Sequence, residues 1–152
     1  MGIKKFIYSI YETTLLNQLD TKDLPQHIGL IHDGHRRYAR EKGLLSYEVS
    51  YRIGINTFKE CLSWCNELNI NHITSWLLSK ENLKRPNEEL DPYYKVIEEL
   101  FKDFTTSDTF DNYKIRFIGS RELLPETITN TIDKVESIRV TGEKELTIAL
   151  GY

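Results

Sequence analysis

The stretch His27-Ile28-Gly29-Leu30-Ile31-His32-Asp33-Gly34 is a short apolar run that ends in an acidic residue and a glycine. Such a run predicts a buried strand that leads into a tight turn. Similar runs occupy residues 72–78, 114–119 and 145–150. Segments with helical spacing of apolar residues lie between them, at 36–42, 53–68, 93–104 and 125–137. Strands that alternate with helices predict an α/β fold, with a mainly parallel sheet flanked by helices.

The chain has 152 residues, which fit a single domain spanning 1–152. Residues 1–20 are predicted to form an amphipathic helix, because Phe6, Ile7 and Ile10 begin a helical pattern of apolar side chains. Packing on the body of the domain is the expected role of this helix, and peripheral contact with a membrane surface is the alternative. No run of about 18 apolar residues is present, so no membrane-spanning helix is expected.

Composition and charge narrow the class of protein. The formal net charge is -3, which argues against a general nucleic-acid binder but leaves room for a local phosphate pocket. The start of the sequence does not resemble a secretion signal, so a cytoplasmic location is expected. Cys61 and Cys65 are four residues apart on a predicted helix, and small apolar core residues are favoured over a redox or metal pair.

The end of the first predicted strand carries residues that suit an anion. Asp33 leaves a strand predicted to be buried, where a carboxylate is costly unless a divalent cation or an arginine lies nearby. The amides from Gly34 to Arg37 open the next helix, and free amides at a helix start bind anions. Arg36 and Arg37 add positive charge. The segment predicts a diphosphate site with Mg²⁺, and a capped helix with solvated arginines is the alternative.

A polar loop follows the second predicted strand at residues 79–86. Ser79 and Asn82 are neutral hydrogen-bonding groups, and Arg85 adds a phosphate-binding cation. Ligands bind beyond the carboxyl ends of parallel strands, so neighbouring strands would bring this loop close to Asp33. A plain polar surface loop is the alternative.

These two segments, in this order, resemble the signatures of the cis-prenyltransferase family, which includes the undecaprenyl and dehydrodolichyl diphosphate synthases. Residues 27–39, HIGLIHDGHRRYA, resemble the pattern H-[IV]-A-[IL]-I-M-D-G-N-[GR]-R-[WY]-A. Residues 74–86, TSWLLSKENLKRP, resemble T-x-[YW]-[AL]-[FL]-S-x-E-N-[WFL]-x-R-P. Residues 115–119, 123–125 and 146–152 resemble further family segments, so the resemblance runs from about residue 25 to residue 152.

The resemblance implies a Mg²⁺-dependent enzyme that extends an allylic diphosphate with isopentenyl diphosphate and forms a cis double bond. Asp33 would bind Mg²⁺ and assist departure of the diphosphate, and Asn82 would occupy the position linked to proton removal. The other implied substrate contacts are Gly34, His35, Arg36, Arg37, Tyr38, Ser79, Lys80, Glu81, Leu83 and Arg85. Four aromatic residues are expected either to line a channel for the growing chain or to pack in the core: Tyr93, Tyr94, Phe101 and Phe104. Pairing as a homodimer is also implied.

The sequence departs from the family pattern at several positions. His35 replaces the usual Asn. An Arg and a G-H-x-x-G segment are replaced by residues that include Ser46, Tyr47, Ser50 and Tyr51. Two phosphate-facing groups are therefore expected to be missing, with Arg40 or Arg52 as substitutes. Asp91 and Pro92 predict a helix start, so Pro92 is expected to interrupt a helix that in the family runs on from Pro86.

The family's last third has no counterpart in this sequence. That part carries an R-x-S-G-E-x-R-L-S segment for isopentenyl diphosphate and a second metal-binding Glu. Residues 139–147 mimic the segment but are predicted to be the loop into the fourth strand, because residues 148–152 continue that strand. The expected fold is therefore an incomplete cis-prenyltransferase fold. A fragment, a complementing second chain and a loss of elongation activity all fit.

Three other functions fit the residues. One is a half-site or non-catalytic subunit of a two-component synthase. Another is a metal-dependent phosphohydrolase that uses His32, Asp33 and His35, although such sites usually need more histidines. The third is a phosphate-binding domain without chemistry.

Overall fold

The computed structural model describes residues 3–20 and 23–152. The helices are α1 (Ile3–Gln18), α2 (His35–Glu41), α3 (Tyr47–Glu67), α4 (Asn87–Thr106) and α5 (Glu126–Ile138). The strands are β1 (His27–Ile31), β2 (His72–Leu78), β3 (Tyr113–Ile118) and β4 (Lys144–Leu150). Short 3-10 helices lie at Asn82–Lys84, Asp108–Phe110 and Arg121–Leu123.

The four strands form one sheet in the order β1-β2-β4-β3, and every neighbouring pair is parallel. The predicted α/β class is confirmed. The register aligns residues in rows across the strands, and one such row is Ile28, Ile73, Leu146 and Ile115. Because the carboxyl ends of parallel strands share one edge, the segments after β1 and β2 emerge side by side.

One face of the sheet carries the hydrophobic core. Ile73, Leu146 and Ile148 are fully buried, and they belong to one cluster with side chains from α3, α4 and α5. Phe101 and Phe104 are also fully buried there, and their rings stack with centroids 5.7 Å apart. These two aromatic residues therefore pack in the core, and the hypothesis that they line a channel for the growing chain is wrong.

The opposite face is much more open. The row Ile31, Trp76, Ala149 and Ile118 lies on it, and Ile31 is 70% exposed while Trp76 is 40% exposed. Sheets of parallel strands are usually buried on both faces. The exposed row is therefore an unusual feature of this sheet.

Helix α3 begins at Tyr47, six residues before the predicted start at Ile53. Ser46 is its N-cap, and the Ser46 hydroxyl accepts a hydrogen bond from the amide of Glu48 at 3.1 Å. Such a cap satisfies an amide that would otherwise lack an intrahelical partner. The early start places Ser50 and Tyr51 on the helix, where both are buried.

Helix α4 corrects the prediction that Asp91 caps the helix and that Pro92 interrupts it. The helix begins at Asn87 after Pro86, and Pro92 lies inside it. The amides of Glu89 and Leu90 both donate to the Pro86 carbonyl, at 3.0 and 3.1 Å, which closes the first turn. Acidic residues in this turn interact favourably with the positive end of the helix dipole.

Helix α1 confirms the helical part of the prediction for residues 1–20, although residues 1 and 2 lie outside the described residues. Its expected packing on the body of the domain is wrong, because all residues from Phe6 to Gln18 are exposed. No helix within residues 3–20 or 23–152 combines the length and the hydropathy that crossing a bilayer requires.

The segment before β4 is a loop, as predicted. Arg139 is buried there, and its guanidinium donates to the carbonyls of Phe104 and Ser107 and to Asp111, at 2.6, 3.2 and 2.6 Å. Arg139 thus ties the end of α4 to the start of this loop. Its role here is structural.

Candidate functional site

A cavity of about 500 Å³ lies beyond the carboxyl ends of β1 and β2. Eight of the predicted site residues line it: Asp33, Gly34, His35, Arg36, Arg37, Ser79, Asn82 and Arg85. The structure therefore brings together the two segments that the sequence placed at neighbouring strand ends. Tyr38 lines an adjoining cavity instead. Within the described residues, Lys80, Glu81 and Leu83 line neither cavity, although they belong to the same loop.

Asp33 lies at the mouth of the first cavity with its side chain 80% exposed. One carboxylate oxygen accepts a hydrogen bond from the Gly34 amide at 2.6 Å, and the other accepts from Arg37 at 3.2 Å. The expected burial of the strand that Asp33 leaves is wrong, because the residues of β1 are exposed or half-buried, while the expected arginine is present. The Gly34 amide is already bonded to Asp33, so it is not one of the free amides that the sequence suggested.

Gly34 itself adopts a left-handed backbone with φ at 96°. Residues with a Cβ rarely adopt this region, so glycine suits the sharp turn between β1 and α2. The turn directs Asp33 and the first residues of α2 to the same opening.

Four guanidinium groups line the first cavity, and Asp33 is the one carboxylate among its lining residues. Arg37 pairs with Asp33, and Arg36 pairs with Glu89 of α4 at 3.3 Å. Within the described part of the chain, Arg40 and Arg85 have no ion-pair partner. The cavity is therefore a local cationic site in a chain whose net charge is -3, and it suits a compact polyanion.

Ser79 and Asn82 hold the loop after β2 through two reciprocal hydrogen bonds. The Ser79 amide donates to the Asn82 side-chain oxygen at 3.1 Å, and the Asn82 amide donates to the Ser79 hydroxyl at 3.1 Å. The side-chain NH₂ group of Asn82 bonds to none of the described residues. It is therefore available to a ligand in the cavity.

Two histidines flank Asp33, and both are held mainly in the neutral form by burial. The His32 ring bonds the buried Ser75 hydroxyl at 2.7 Å, and burial, with a smaller effect of His35, lowers the pKa of His32 to about 4. Burial also lowers the pKa of His35. The His35 ring occupies space beside Gly54, where a Cβ would lie 2.1 Å from its Cε1 atom. His35 is thus packed between α2 and α3.

The metal-ligating groups bear on two of the predicted functions. No group of three or more His, Cys, Asp or Glu residues suited to a metal ion occurs in the ranges 3–20 and 23–152. This argues against the phosphohydrolase, since His32 is bonded to Ser75 in the core. Mg²⁺ in phosphate-binding sites often takes only one or two protein carboxylates plus substrate oxygens. Asp33 at the mouth of a cationic cavity fits such a site.

A second cavity, of about 520 Å³, adjoins the first and shares residues 31–35 with it. Its remaining lining comes largely from β1 and α3 and is mostly apolar, as with Leu30, Ile53 and Phe58. Cys61 also lines it, and Cys65 is buried in the core, so both act as small apolar residues, as predicted. The two cavities together offer a polar site beside an apolar one.

Three aromatic residues that were not predicted at the diphosphate site also line the first cavity: Tyr51, Trp76 and Tyr93. Tyr93 donates its hydroxyl hydrogen to the Leu77 carbonyl at 2.6 Å, and Tyr51 packs edge-on against Tyr93 with ring centroids 5.0 Å apart. Tyr93 was expected to line a channel or the core. Recognising Ser46 as the N-cap of α3 would have placed Tyr51 in the first turns of that helix.

Comparison with known proteins agrees with this arrangement. A family model described as "Putative undecaprenyl diphosphate synthase" matches residues 31–152. The chain is 37% identical, over 97% of its length, to a tritrans,polycis-undecaprenyl-diphosphate synthase (geranylgeranyl-diphosphate specific) of Methanopyrus kandleri, of which it covers 55%. It is 33% identical, over its whole length, to a (2Z,6E)-farnesyl diphosphate synthase of Thermobifida fusca, of which it covers 59%.

Solved structures show the same relationship. The crystal structure of lavandulyl diphosphate synthase from Lavandula x intermedia, in complex with dimethylallyl diphosphate, matches with a TM-score of 0.75 and 27% identity. That match covers 84% of this chain and 55% of the other. The chain thus spans a little over half the length of the relatives that it matches. On the extent of the family match and the shared fold, the chain belongs to the undecaprenyl diphosphate synthase family, the cis-prenyltransferases.

Proposed function

We propose that the first cavity binds the diphosphate of an allylic prenyl diphosphate, and that the chain takes part in condensing it with isopentenyl diphosphate as a cis-prenyltransferase. The observation that carries this proposal is the convergence of Asp33, Asn82 and four arginines on one cavity. Arginine binds phosphate oxygens through paired hydrogen bonds, and a diphosphate is the compact polyanion that such a cluster suits.

The proposed reaction begins with loss of the diphosphate. The bond between the allylic carbon and the diphosphate oxygen breaks, and its electron pair leaves with the diphosphate. Positive side chains around the leaving group stabilise the charge that develops there. Arg85 and Arg40, which form no ion pair in the described residues, are free to make these contacts without first breaking one.

The second half of the reaction joins the two substrates. The double bond of isopentenyl diphosphate forms a carbon–carbon bond with the allylic carbon, and the resulting cation then loses a proton, which the released diphosphate can accept, to form the new cis double bond. The Asn82 carboxamide is not a base at neutral pH, so its role is to orient the reacting groups or the proton acceptor by hydrogen bonding.

Mg²⁺ is the proposed cofactor, with Asp33 as its protein ligand. When bound, a divalent cation neutralises charge on the departing diphosphate. The Asp33 carboxylate would hold the cation, because each of its oxygens accepts one hydrogen bond, from Gly34 or from Arg37, and keeps a further lone pair.

The adjoining cavity supports an allylic substrate, because it is mostly apolar and shares residues 31–35 with the cavity proposed for the diphosphate. The complex of lavandulyl diphosphate synthase with dimethylallyl diphosphate gives further support, since that protein shares the fold and is 27% identical to this chain over the part that aligns.

A second function is favoured by the length of the chain relative to its matches. Because the chain covers 55–59% of its relatives, it would supply the allylic half-site, and isopentenyl diphosphate would be held by residues outside this sequence. A complementing subunit or a longer form of the chain would then complete the enzyme. The homodimer that the resemblance implies stays a prediction, which mass measurement of the purified chain in solution tests. Contact of α1 with membranes stays a prediction, which flotation with anionic vesicles tests.

The test of the proposed site is calorimetric titration of the chain with dimethylallyl diphosphate in the presence of Mg²⁺. We expect Arg85→Ala to weaken binding by about 10- to 100-fold, because a hydrogen bond to a charged group contributes about 1.5–3 kcal/mol. Arg116→Ala is the matched control, since Arg116 pairs with Glu145 on β4 and lines neither cavity. Equal losses in the two variants would reject the site.

Turnover separates the enzyme from the half-site and from a phosphate-binding domain. The chain is mixed with Mg²⁺, farnesyl diphosphate and labelled isopentenyl diphosphate, with and without the product of a neighbouring gene. Label incorporation by the chain alone establishes the complete enzyme, and incorporation only in the mixture establishes the half-site. Diphosphate binding that Asp33→Ala and the removal of Mg²⁺ both leave unchanged would favour a phosphate-binding domain.

A further inference from the structure

Tyr51 is buried at the base of the first cavity, with only 4% of its surface exposed. Its ring is held on three sides by aromatic neighbours. The ring of Tyr93 packs edge-on at 5.0 Å, that of His35 edge-on at 5.6 Å, and that of Tyr47 lies tilted at 6.4 Å, all between centroids. These contacts fix the direction of the side chain before any ligand arrives.

The hydroxyl group of Tyr51 bonds to none of the described residues, in contrast to the hydroxyl groups of Tyr93 and Tyr113. Every fully buried side-chain nitrogen or oxygen in the described ranges has a hydrogen-bond partner. The Tyr51 hydroxyl therefore keeps some solvent access. Tyr51 lines the first cavity, so this access is to the cavity.

Charged groups of the site affect the pKa of this hydroxyl. Arg85, Glu89 and Arg36 all act electrostatically on the Tyr51 phenol, and burial is the main reason that its pKa is raised. The phenol therefore stays protonated at neutral pH, and a protonated phenol can donate a hydrogen bond. An anion attracted into the cavity by Arg36 and Arg85 would meet a neutral donor in the Tyr51 hydroxyl.

The neighbouring Ser50 cannot take this role, because its hydroxyl donates to the His35 carbonyl at 2.7 Å and the residue is 1% exposed. This contrast matters because Ser46, Tyr47, Ser50 and Tyr51 replace the Arg and His of the family pattern. Of these four side chains, only Tyr51 lines the first cavity.

We propose that Tyr51 is a substrate-binding residue whose hydroxyl donates a hydrogen bond to an oxygen of the diphosphate held by Arg36 and Arg85. The inference rests on the proposed function, since it takes the anion in the cavity to be a diphosphate. Tyr51, in the first turns of α3, would then be the hydrogen-bond donor that compensates for the replaced family residues.

The test is calorimetric titration of the full chain with inorganic diphosphate and Mg²⁺. Tyr51→Phe removes only the hydroxyl oxygen, and we expect the dissociation constant to rise about tenfold, the usual effect of losing one hydrogen bond to an anion. Tyr47→Phe is the matched control, because Tyr47 lies one turn earlier on α3 and does not line this cavity. It should bind diphosphate as the wild type does.

The melting temperature of Tyr51→Phe distinguishes a binding role from a structural one. Since the hydroxyl bonds no described residue, its removal should leave the melting temperature of the free protein unchanged, while the increase in melting temperature on adding diphosphate should shrink. Wild-type affinity in Tyr51→Phe overturns the inference and leaves the proposed function standing. Failure of the wild type to bind diphosphate overturns both.

Discussion

His32 illustrates how a single side chain connects the core to the candidate site. Ser75 lies in β2 with no exposed surface, and a buried hydroxyl without a partner is costly. His32 supplies that partner through its Nε2 atom, while its ring packs edge-on against Phe58 with centroids 5.1 Å apart. The same burial that makes this bond effective disfavours the charged imidazolium.

This burial predicts a loss of stability at mildly acidic pH. The pKa of His32 is about 4 in the folded chain and near 6.5 when unfolded, so between these values the unfolded state binds more protons. The free energy of unfolding should therefore fall as pH falls from 6.5 to 4, by about 3 kcal/mol from this residue. Urea unfolding across this range, with a chelator present, measures the change.

His32→Met isolates this contribution, because His35, Asp33 and all other titrating groups remain. The variant loses the bond to Ser75 at every pH, so it should be less stable than the wild type near pH 7. The difference between the two proteins should then shrink by about 3 kcal/mol toward pH 4. A difference that stays constant with pH would show that His32 titrates normally.

At the scale of single residues, the sequence predicted the charged and polar residues of the candidate site but not the packing of its aromatic residues. Asp33, Arg37, Asn82 and Arg85 were predicted because they follow the ends of two predicted strands and match the motifs of the family. Tyr51 was not, because a tyrosine at helical spacing reads as a core residue, and only its neighbours decide where its hydroxyl points.

Among the secondary structure elements, α4 combines two contradictory helix signals. Asp91-Pro92 is a good local helix start, but the helix begins at Asn87 after Pro86 and continues through Pro92. Inside a helix, proline lacks the amide that would bond four residues back, here to the carbonyl of Glu88, and its ring crowds that carbonyl. The structure therefore predicts that Pro92 weakens α4.

Pro92→Ala should stabilise the chain by about 2 kcal/mol. An interior proline costs about 3 kcal/mol relative to alanine, and the greater freedom of the unfolded alanine chain removes about 0.4–1 kcal/mol of that gain. Urea denaturation at pH 7 measures the difference. Pro125→Ala is the control, because Pro125 is the N-cap of α5 and should show no such gain. If Pro92→Ala were neutral or destabilising, a helix that starts at Pro92 would be the better description.

The strands were more predictable than the helix starts. The prediction for residues 72–78 matches β2 without error, because a run rich in apolar and β-branched residues lies between the polar Asn71 and the polar loop that starts at Ser79. The starts of α3 and α4 were missed by several residues, since the first turn of α4 is polar and that of α3 mixes polar and apolar residues, so neither shows clear hydrophobic periodicity. Capping contacts, at Ser46 and Pro86, decide those boundaries.

On the scale of the whole molecule, alternation of strands and helices was enough to predict a parallel sheet and to place the site at its carboxyl edge. The strand order β1-β2-β4-β3 was not predictable, because nothing local requires β4 to pair between β2 and β3. The unequal faces of the sheet were also unexpected. Apolar side chains at Ile31, Trp76 and Ile118 read as buried in the sequence, yet all three are exposed.

Trp76 belongs both to this open face and to the wall of the first cavity, so its fluorescence should report ligand binding. In Trp64→Phe, the remaining tryptophan is Trp76, which is 40% exposed. Allylic diphosphate in the cavity should shield its indole, lowering the acrylamide quenching constant. In Trp76→Phe, the reporter is Trp64 on α3, which is 54% exposed, does not line the cavity and should not respond. A response from Trp64 alone would place the ligand elsewhere on the chain, whereas a response from Trp76 alone ties binding to the carboxyl edge of the sheet.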